Sequence, residues 1–254
     1  ILRAASVRRL RTAFAARRPR RSKGNRMTTP RSNWLSQAIT ADALKRFPQS
    51  IAGQAIFATG LVMMLAAGVG LPSWEILHQG LSKQLGIQIG TAAQLSGIFV
   101  LLLWIPLRQR PGLGTLSNIV VIGWIMNVEI ALLDFLAVPS AAEIAAQPLL
   151  AGALAIAGTA VVGVGSGIYI GSGNGPGPRD GLMTGLHHRT GQAIWKMRTA
   201  IEVVVGVLGI VLGGTFGFGT IWFAFTIGPQ VQFWLGRLDP SGRAKRQAAS
   251  GDRQ

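Results

Sequence analysis

The sequence predicts an all-α membrane protein. The expected architecture is six transmembrane helices arranged as two inverted three-helix repeats, each with a short amphipathic or re-entrant helix. Three observations predict this. The first is composition: 49% of the residues are hydrophobic and only 13% are charged, which suits a polytopic chain with several apolar spans. The second is self-similarity at one ungapped offset of 105 residues. Gly53, Gly60, Gly68 and Gly70 match Gly158, Gly165, Gly173 and Gly175. The register continues through Glu75 with Asp180, Gly80-Leu81 with Gly185-Leu186, Gly112-Leu113-Gly114-Thr115 with Gly217-Phe218-Gly219-Thr220, and Gly123 with Gly228. An internal repeat fixes the architecture, and in a membrane protein it points to where function sits. The third is the confinement of Lys and Arg to alternate loops.

The spans fall in order near residues 51–70, 88–107, 115–138, 149–170, 195–214 and 217–236. Each is long enough, or nearly so, for a hydrocarbon core of about 30 Å. Before the first span lie thirteen Lys and Arg, with Lys45 and Arg46 nearest the membrane. Arg108 and Arg110 follow the second span. Arg179, Arg189, Lys196 and Arg198 lie between the fourth and fifth, and Arg237, Arg243, Lys245, Arg246 and Arg253 follow the sixth. Lys83 alone falls on the other side. Both termini are therefore expected inside. Three spans per repeat is odd, so the second repeat enters the membrane from the opposite side.

The domains follow: a basic arm over 1–46, one membrane repeat over 47–138, a second over 139–236 and a basic tail over 237–254. Net charge is +16, but residues 1–26 hold nine Arg and one Lys with no acid. Without them the charge is +6. This segment is Arg-rich and acid-free like a transit peptide, and it lacks the apolar core of a signal peptide. It also reads as a disordered arm on the anionic inner leaflet, or as sequence upstream of a start at Met27. Six spans exclude a soluble nucleic-acid-binding protein. The chain has no cysteine, which excludes disulfides, thiol nucleophiles and thiolate metal sites. His78, His187 and His188 offer no convincing metal-ligand spacing with acids.

Two short segments sit between the first and second spans of each repeat: Pro72 to Lys83, and Pro178 to Arg189. Each is too short to cross. Each has a proline at its start and an acid in its first turn, as helix starts do. Helical spacing places Glu75, Gln79 and Lys83 on one face of the first, and Asp180, Thr184 and His188 on the matching face of the second. These helices are interfacial or re-entrant. The acids Glu75 and Asp180 are expected to share one role, charging the start of their helices. Position 179 is Arg where the repeat has Trp74, so Arg179 is the cation that the repeats do not share. It is expected to serve an anionic group, or a carboxylate such as Glu202. Before the second short helix runs Gly171-Ser172-Gly173-Asn174-Gly175-Pro176-Gly177. Its backbone N–H groups, Gly175 and Gly177 among them, can cradle an anion with Arg179. Equally, its glycines can let irregular backbone pass close to neighbouring helices. No Walker Lys-Ser/Thr follows.

These residues carry a resemblance. Gly175-Pro176-Gly177-Pro178-Arg179-Asp180-Gly181-Leu182-Met183 resembles the G-A-G-P-R-D-G-L-M signature of the YczE-like bacterial membrane proteins, related to the YitT group. Arg198-Thr199-Ala200-Ile201-Glu202, Gly213-Gly214-Thr215, Gly217-Phe218-Gly219-Thr220, Ile227-Gly228-Pro229 and Pro106 through Thr115 match that family in order. The resemblance covers residues 45–236. The sequence departs at Pro176, which replaces a small residue, and at Pro72-Ser73-Trp74-Glu75, where the usual order is reversed and Glu stands for Asp. The resemblance implies an integral protein of the bacterial plasma membrane and no particular activity.

Polar groups within the spans are candidates for a site. Glu202 lies one turn beyond Arg198, either as an ion pair with it or as a substrate or coupling-ion carboxylate. Glu129 sits mid-span, neutral and packed or acting as a proton relay. Asn127 matches Gln232 across the repeat, and Thr115 matches Thr220; both pairs suit interhelical hydrogen bonds or the lining of a site. Trp74, Trp104, Trp195 and Trp234 are expected in the interfacial belt. The leading function is a secondary transporter or facilitator of a small polar or anionic solute, with Gly175, Gly177, Arg179, Asp180, Glu202, Glu75, Asn127 and Glu129 as substrate-binding candidates. The alternative is a non-transporting accessory or regulatory membrane protein that stabilises a partner. No catalytic set, metal ligands or cofactor site is assigned, and an enzyme is not expected. The lipid bilayer is the one partner implied directly.

Overall fold

The computed structural model describes residues 40–239 and 242. The basic arm over 1–26 and most of the basic tail lie outside the described residues. Nine helices follow in order among the described residues. They are α1 (Ala41–Ala67), α2 (Ser73–Leu85), α3 (Ile89–Leu107), α4 (Leu113–Phe135), α5 (Ala141–Ala145), α6 (Pro148–Gly171), α7 (Pro178–Thr190), α8 (Ile194–Val211) and α9 (Phe218–Leu238).

The ends of these helices follow local chemistry. The Thr40 hydroxyl accepts the Ala43 N–H at 3.1 Å and caps α1, so that helix starts ten residues before the expected span. Ser140 and Glu143 form a capping box on α5, and Ser140 draws the Glu143 carboxyl below its usual pKa. Pro148 and Pro178 open α6 and α7 at the first turn, where a missing N–H costs nothing. Gly86 and Gly191 close α2 and α7 in the left-handed region, at φ of 65° and 68°.

Four helices are long and apolar enough to cross a membrane: α1, α3, α4 and α6. The sequence predicts six. The remaining two expected spans form helices, but α8 carries Lys196, Arg198 and Glu202, and α9 carries Gln230, Gln232 and Arg237. Those polar groups lower their mean hydropathy.

The 105-residue offset reappears in the helix bounds: α2 and α7 correspond residue for residue, and α3 and α8, like α4 and α9, start at matching positions. It also appears in the contacts, which are exchanged between the two halves. A methyl at Gly60 would lie 2.7 Å from the Gly158 oxygen, and one at Gly165 would lie 2.7 Å from the Gly53 oxygen. Each pair maps onto the other when 105 is added to one member and subtracted from the other. So α1 and α6 meet at their backbones along a seam of glycines. The Gly114 N–H donates to the Asn174 oxygen at 2.8 Å, and the matching Gly219 N–H donates to the Val69 oxygen at 2.9 Å. The short helices exchange sides as well: α2 packs on α8 and α7 packs on α3. Gly163 and Gly167 bring α6 against Gln230 and Trp234 of α9.

Two of the four tryptophans expected in the belt depart from it. Trp74 and Trp104 are buried at 5% and 1% exposure. Trp104 packs over Gly181, where any side chain would clash, and its indole N–H donates to the Pro178 oxygen at 3.0 Å. It therefore fastens α7 to α3 instead of sitting in headgroups. Trp195 is exposed.

Candidate functional site

The first turns of α2 and α7 face each other at one end of a cavity of about 250 Å³. The Arg179 guanidinium donates to Glu75 Oε1 at 2.6 Å and stacks 5.0 Å from the centre of the Trp74 ring. Trp74 and Arg179 occupy equivalent repeat positions, so the two helix starts meet at the line of exchange. The Glu75 side chain is 2% exposed. A carboxylate so buried is tolerated because a charged, hydrogen-bonded partner is present. His78 lies one turn further along α2, with Nδ1 3.9 Å from Glu75 Oε1. Burial first, and the nearby Arg179 charge second, hold the His78 imidazole well below its usual pKa. It is neutral at physiological pH.

This arrangement corrects two sequence expectations. Arg179 is not held ready for Glu202; its hydrogen-bonded partner is Glu75. The two first-turn acids do not share a role either. Glu75 is a buried ion-pair partner. Asp180 accepts the Gly177 backbone N–H at its own helix start; burial raises its carboxyl pKa, opposed by the charges of Arg198 and Arg179 and by that hydrogen bond. Glu75 pairs across the exchange with position 179; the matching partner of Asp180 would be position 74, and Trp there offers no charge.

Asp180 and Glu202 line the cavity with Arg179, Arg198, Tyr169 and Gly177. Asp180 is exposed and lines the cavity. Arg198 and Glu202 line it together but form no ion pair within 4.0 Å, contrary to the one-turn pairing read from their spacing. The remaining walls are mostly aromatic and aliphatic, Phe57, Phe223, Ile122, Ile227 and Val231 among them, with Asn118, Ser166 and His78 as further polar groups. Every helix but α5 therefore contributes to the lining: α1 and α6, α3 and α4, the two short helices, and α8 and α9, with the charged groups coming from α7 and α8.

The other candidates sit elsewhere. Gly175, at φ 122°, packs against Thr115 and Gly112, as its equivalent Gly70, at φ 118°, packs against Thr220 and Gly217. The Thr115 hydroxyl donates to the Pro176 oxygen at 2.7 Å. The glycine loop thus lets irregular backbone meet the start of α4, and Gly175 is no part of the cavity. Asn127 accepts the Gly90 N–H at 2.8 Å and donates to the Thr91 hydroxyl at 3.1 Å, tying α4 to α3. Glu129 accepts the Thr59 hydroxyl at 2.6 Å, away from the cavity.

The two halves differ at one place beside the cavity. In the first half α3 packs along α4, and Gly123 meets the Gly90 oxygen and the Gln94 side chain so closely that no methyl would fit. In the second half α8 and α9 stand apart. A methyl at Gly228, the equivalent of Gly123, would find nothing within 4 Å. Sequence reasoning missed Trp74, His78, Tyr169 and Arg198 as site residues. A signal for Arg198 was present: a cation one helical turn before Glu202.

Residues 44–236 match the family of unknown function DUF6198. An uncharacterized protein of Haemophilus influenzae is 33% identical over 206 residues, which cover 81% of this chain and 90% of that one. The membrane protein YczE of Bacillus subtilis is 28% identical over 186 residues, covering 72% of this chain and 82% of its own. No solved structure matches the chain. The match to the family over most of the chain, with four membrane-length apolar helices and the glycine signature at α7, places this protein in the DUF6198 family of YczE-like membrane proteins.

Proposed function

We propose that the chain is a secondary transporter or facilitator of a small polar solute in the bacterial plasma membrane. In this reading α1, α3, α4, α6, α8 and α9 span the bilayer as two inverted three-helix repeats. The short helices α2 and α7 enter from opposite sides, and both termini are cytoplasmic by the distribution of Lys and Arg. The role is non-catalytic.

The observation that carries the reading is the inequality of equivalent helix pairs. With α3 packed on α4 and α8 away from α9, the cavity lies between a closed helix pair and an open one. Exchanging the two arrangements would close that path and open its counterpart on the other face, which is alternating access. The polar end of the cavity, with Asp180, Arg198 and Glu202, gives a solute something to bind.

The chain has no cysteine, so single cysteines report cleanly. Gly228→Cys lines the cavity in open space. A membrane-impermeant maleimide should label it in both right-side-out and inverted vesicles. Labelling from one side only would contradict transport. Labelling from neither would favour a packed accessory protein.

A further inference from the structure

The cavity's charges specify the class of solute, an inference that rests on reading this cavity as the solute's binding place. Four charged side chains line it: Arg179, Arg198, Asp180 and Glu202. Arg179 is already neutralised by Glu75 at 2.6 Å. Arg198 is then left against Asp180 and Glu202, an excess of one negative charge beside largely apolar walls.

That excess has a traceable origin. Contacts in this fold are exchanged at an offset of 105, and the Glu75–Arg179 ion pair maps onto positions 180 and 74. Position 74 is Trp, so Asp180 lacks the cation its equivalent enjoys. It has no ion pair within 4.0 Å. A surplus carboxylate beside a low-dielectric cavity favours a positively charged occupant.

A separate observation agrees. The rings of Phe57, Tyr169 and Phe223 line the same cavity, with Phe57 and Tyr169 edge to face at 5.9 Å. Aromatic faces attract alkylammonium groups. An anion would meet two carboxylates and one arginine there. The volume of about 250 Å³ suits a compound smaller than the usual drug-sized ligand.

We propose that the cavity binds a small organic monocation, an ammonium carried on a compact apolar body. The ammonium lies at Asp180 and Glu202, and the body lies against Phe57, Phe223 and Ile227.

The test uses the full chain in lipid nanodiscs and three probes of similar shape: benzyltrimethylammonium, phenylacetate and benzyl alcohol. Calorimetry should show saturable binding of benzyltrimethylammonium only. Asp180→Asn and Glu202→Gln should each weaken it about tenfold, and Arg198→Gln should not weaken it. Saturable phenylacetate binding that is lost in Arg198→Gln would overturn the proposal. So would an absence of benzyltrimethylammonium binding, or binding that neither carboxylate variant changes. The two readings fail separately. No cation binding with Gly228→Cys labelled from both sides refutes the monocation alone. Cation binding with labelling from one side refutes transport alone.

Discussion

Helices α3 and α4 close on each other, while their equivalents α8 and α9 stand apart. The same backbone plan therefore supports both arrangements. Local sequence explains part of the difference. Gly90 and Asn127 join α3 to α4 through a backbone contact and two hydrogen bonds. At the equivalent places stand Trp195 and Gln232. An indole where a glycine would be needed blocks the same close approach. The half built for contact also holds no charge in its helix pair near the cavity. The other half puts Arg198 and Glu202 on α8, facing the cavity. If α8 spans the bilayer as proposed, such charges are retained where water or a ligand can reach them.

The sharpest contrast between halves at the helix starts is Glu75 with Arg179 against Asp180 with Trp74. Arg179→Gln leaves the buried Glu75 carboxyl without its ion-pair partner, and should cost about 2–3 kcal/mol. The value sits below that of a fully buried pair because the Arg179 side chain is a third exposed. Denaturant unfolding in detergent checks it. Adding Glu75→Gln should recover much of the loss, since no buried charge remains. Asp180→Asn should cost less, about 1 kcal/mol, as at other helix starts. Equal costs for the two single variants would mean that the helix starts are not distinct.

The helix pairs can be compared with one methyl. Gly123→Ala forces a side chain onto the Gly90 backbone and should destabilise by about 1–3 kcal/mol. Gly228→Ala enters open space and should be neutral, or stabilise by up to about 1 kcal/mol through helix propensity. Thermal unfolding of the two variants measures the difference directly. A similar loss in both would mean that α8 closes on α9 most of the time.

The smallest effect expected is a pH dependence from His78. Its folded pKa lies well below the ordinary value of 6.5. Below that value the unfolded chain takes up a proton that the folded chain refuses, so stability falls as pH falls. The slope from this group is at most about 1.4 kcal/mol per pH unit. It begins below pH 6.5 and ends at the folded pKa. His78→Gln should flatten the stability profile over that window, and an unchanged slope would place the acid sensitivity elsewhere.

Much of the fold was legible in the sequence because the repeat keeps one ungapped offset. The short segments read from the sequence match α2 and α7 to within two residues at each end, and apolar length located α1, α3, α4 and α6. Self-comparison reveals which positions are equivalent, however, and not which positions touch. Glu75 and Arg179 are one residue out of register with each other, so their pairing stays hidden until the halves are folded together. Gly175 was misplaced for a related reason. A glycine loop before a helix has the same sequence whether it cradles an anion or admits another backbone, and here the start of α4 fills the space. Trp74 and Trp104 were misplaced because a tryptophan near a span end is read as interfacial unless its tertiary partner, such as Gly181, is known.

The unequal opening of the two helix pairs is most directly tested by distance. Phe99 and Val120 are exposed on α3 and α4, and their equivalents Val204 and Phe225 are exposed on α8 and α9. Spin labels on Phe99→Cys with Val120→Cys, and on Val204→Cys with Phe225→Cys, can be read by pulsed electron resonance in nanodiscs. The α8–α9 pair should give the longer principal distance. Each pair should also show a minor population near the other's distance, and benzyltrimethylammonium should shift the two populations in opposite senses. Equal, single distances in both pairs, unmoved by the cation, would contradict the account.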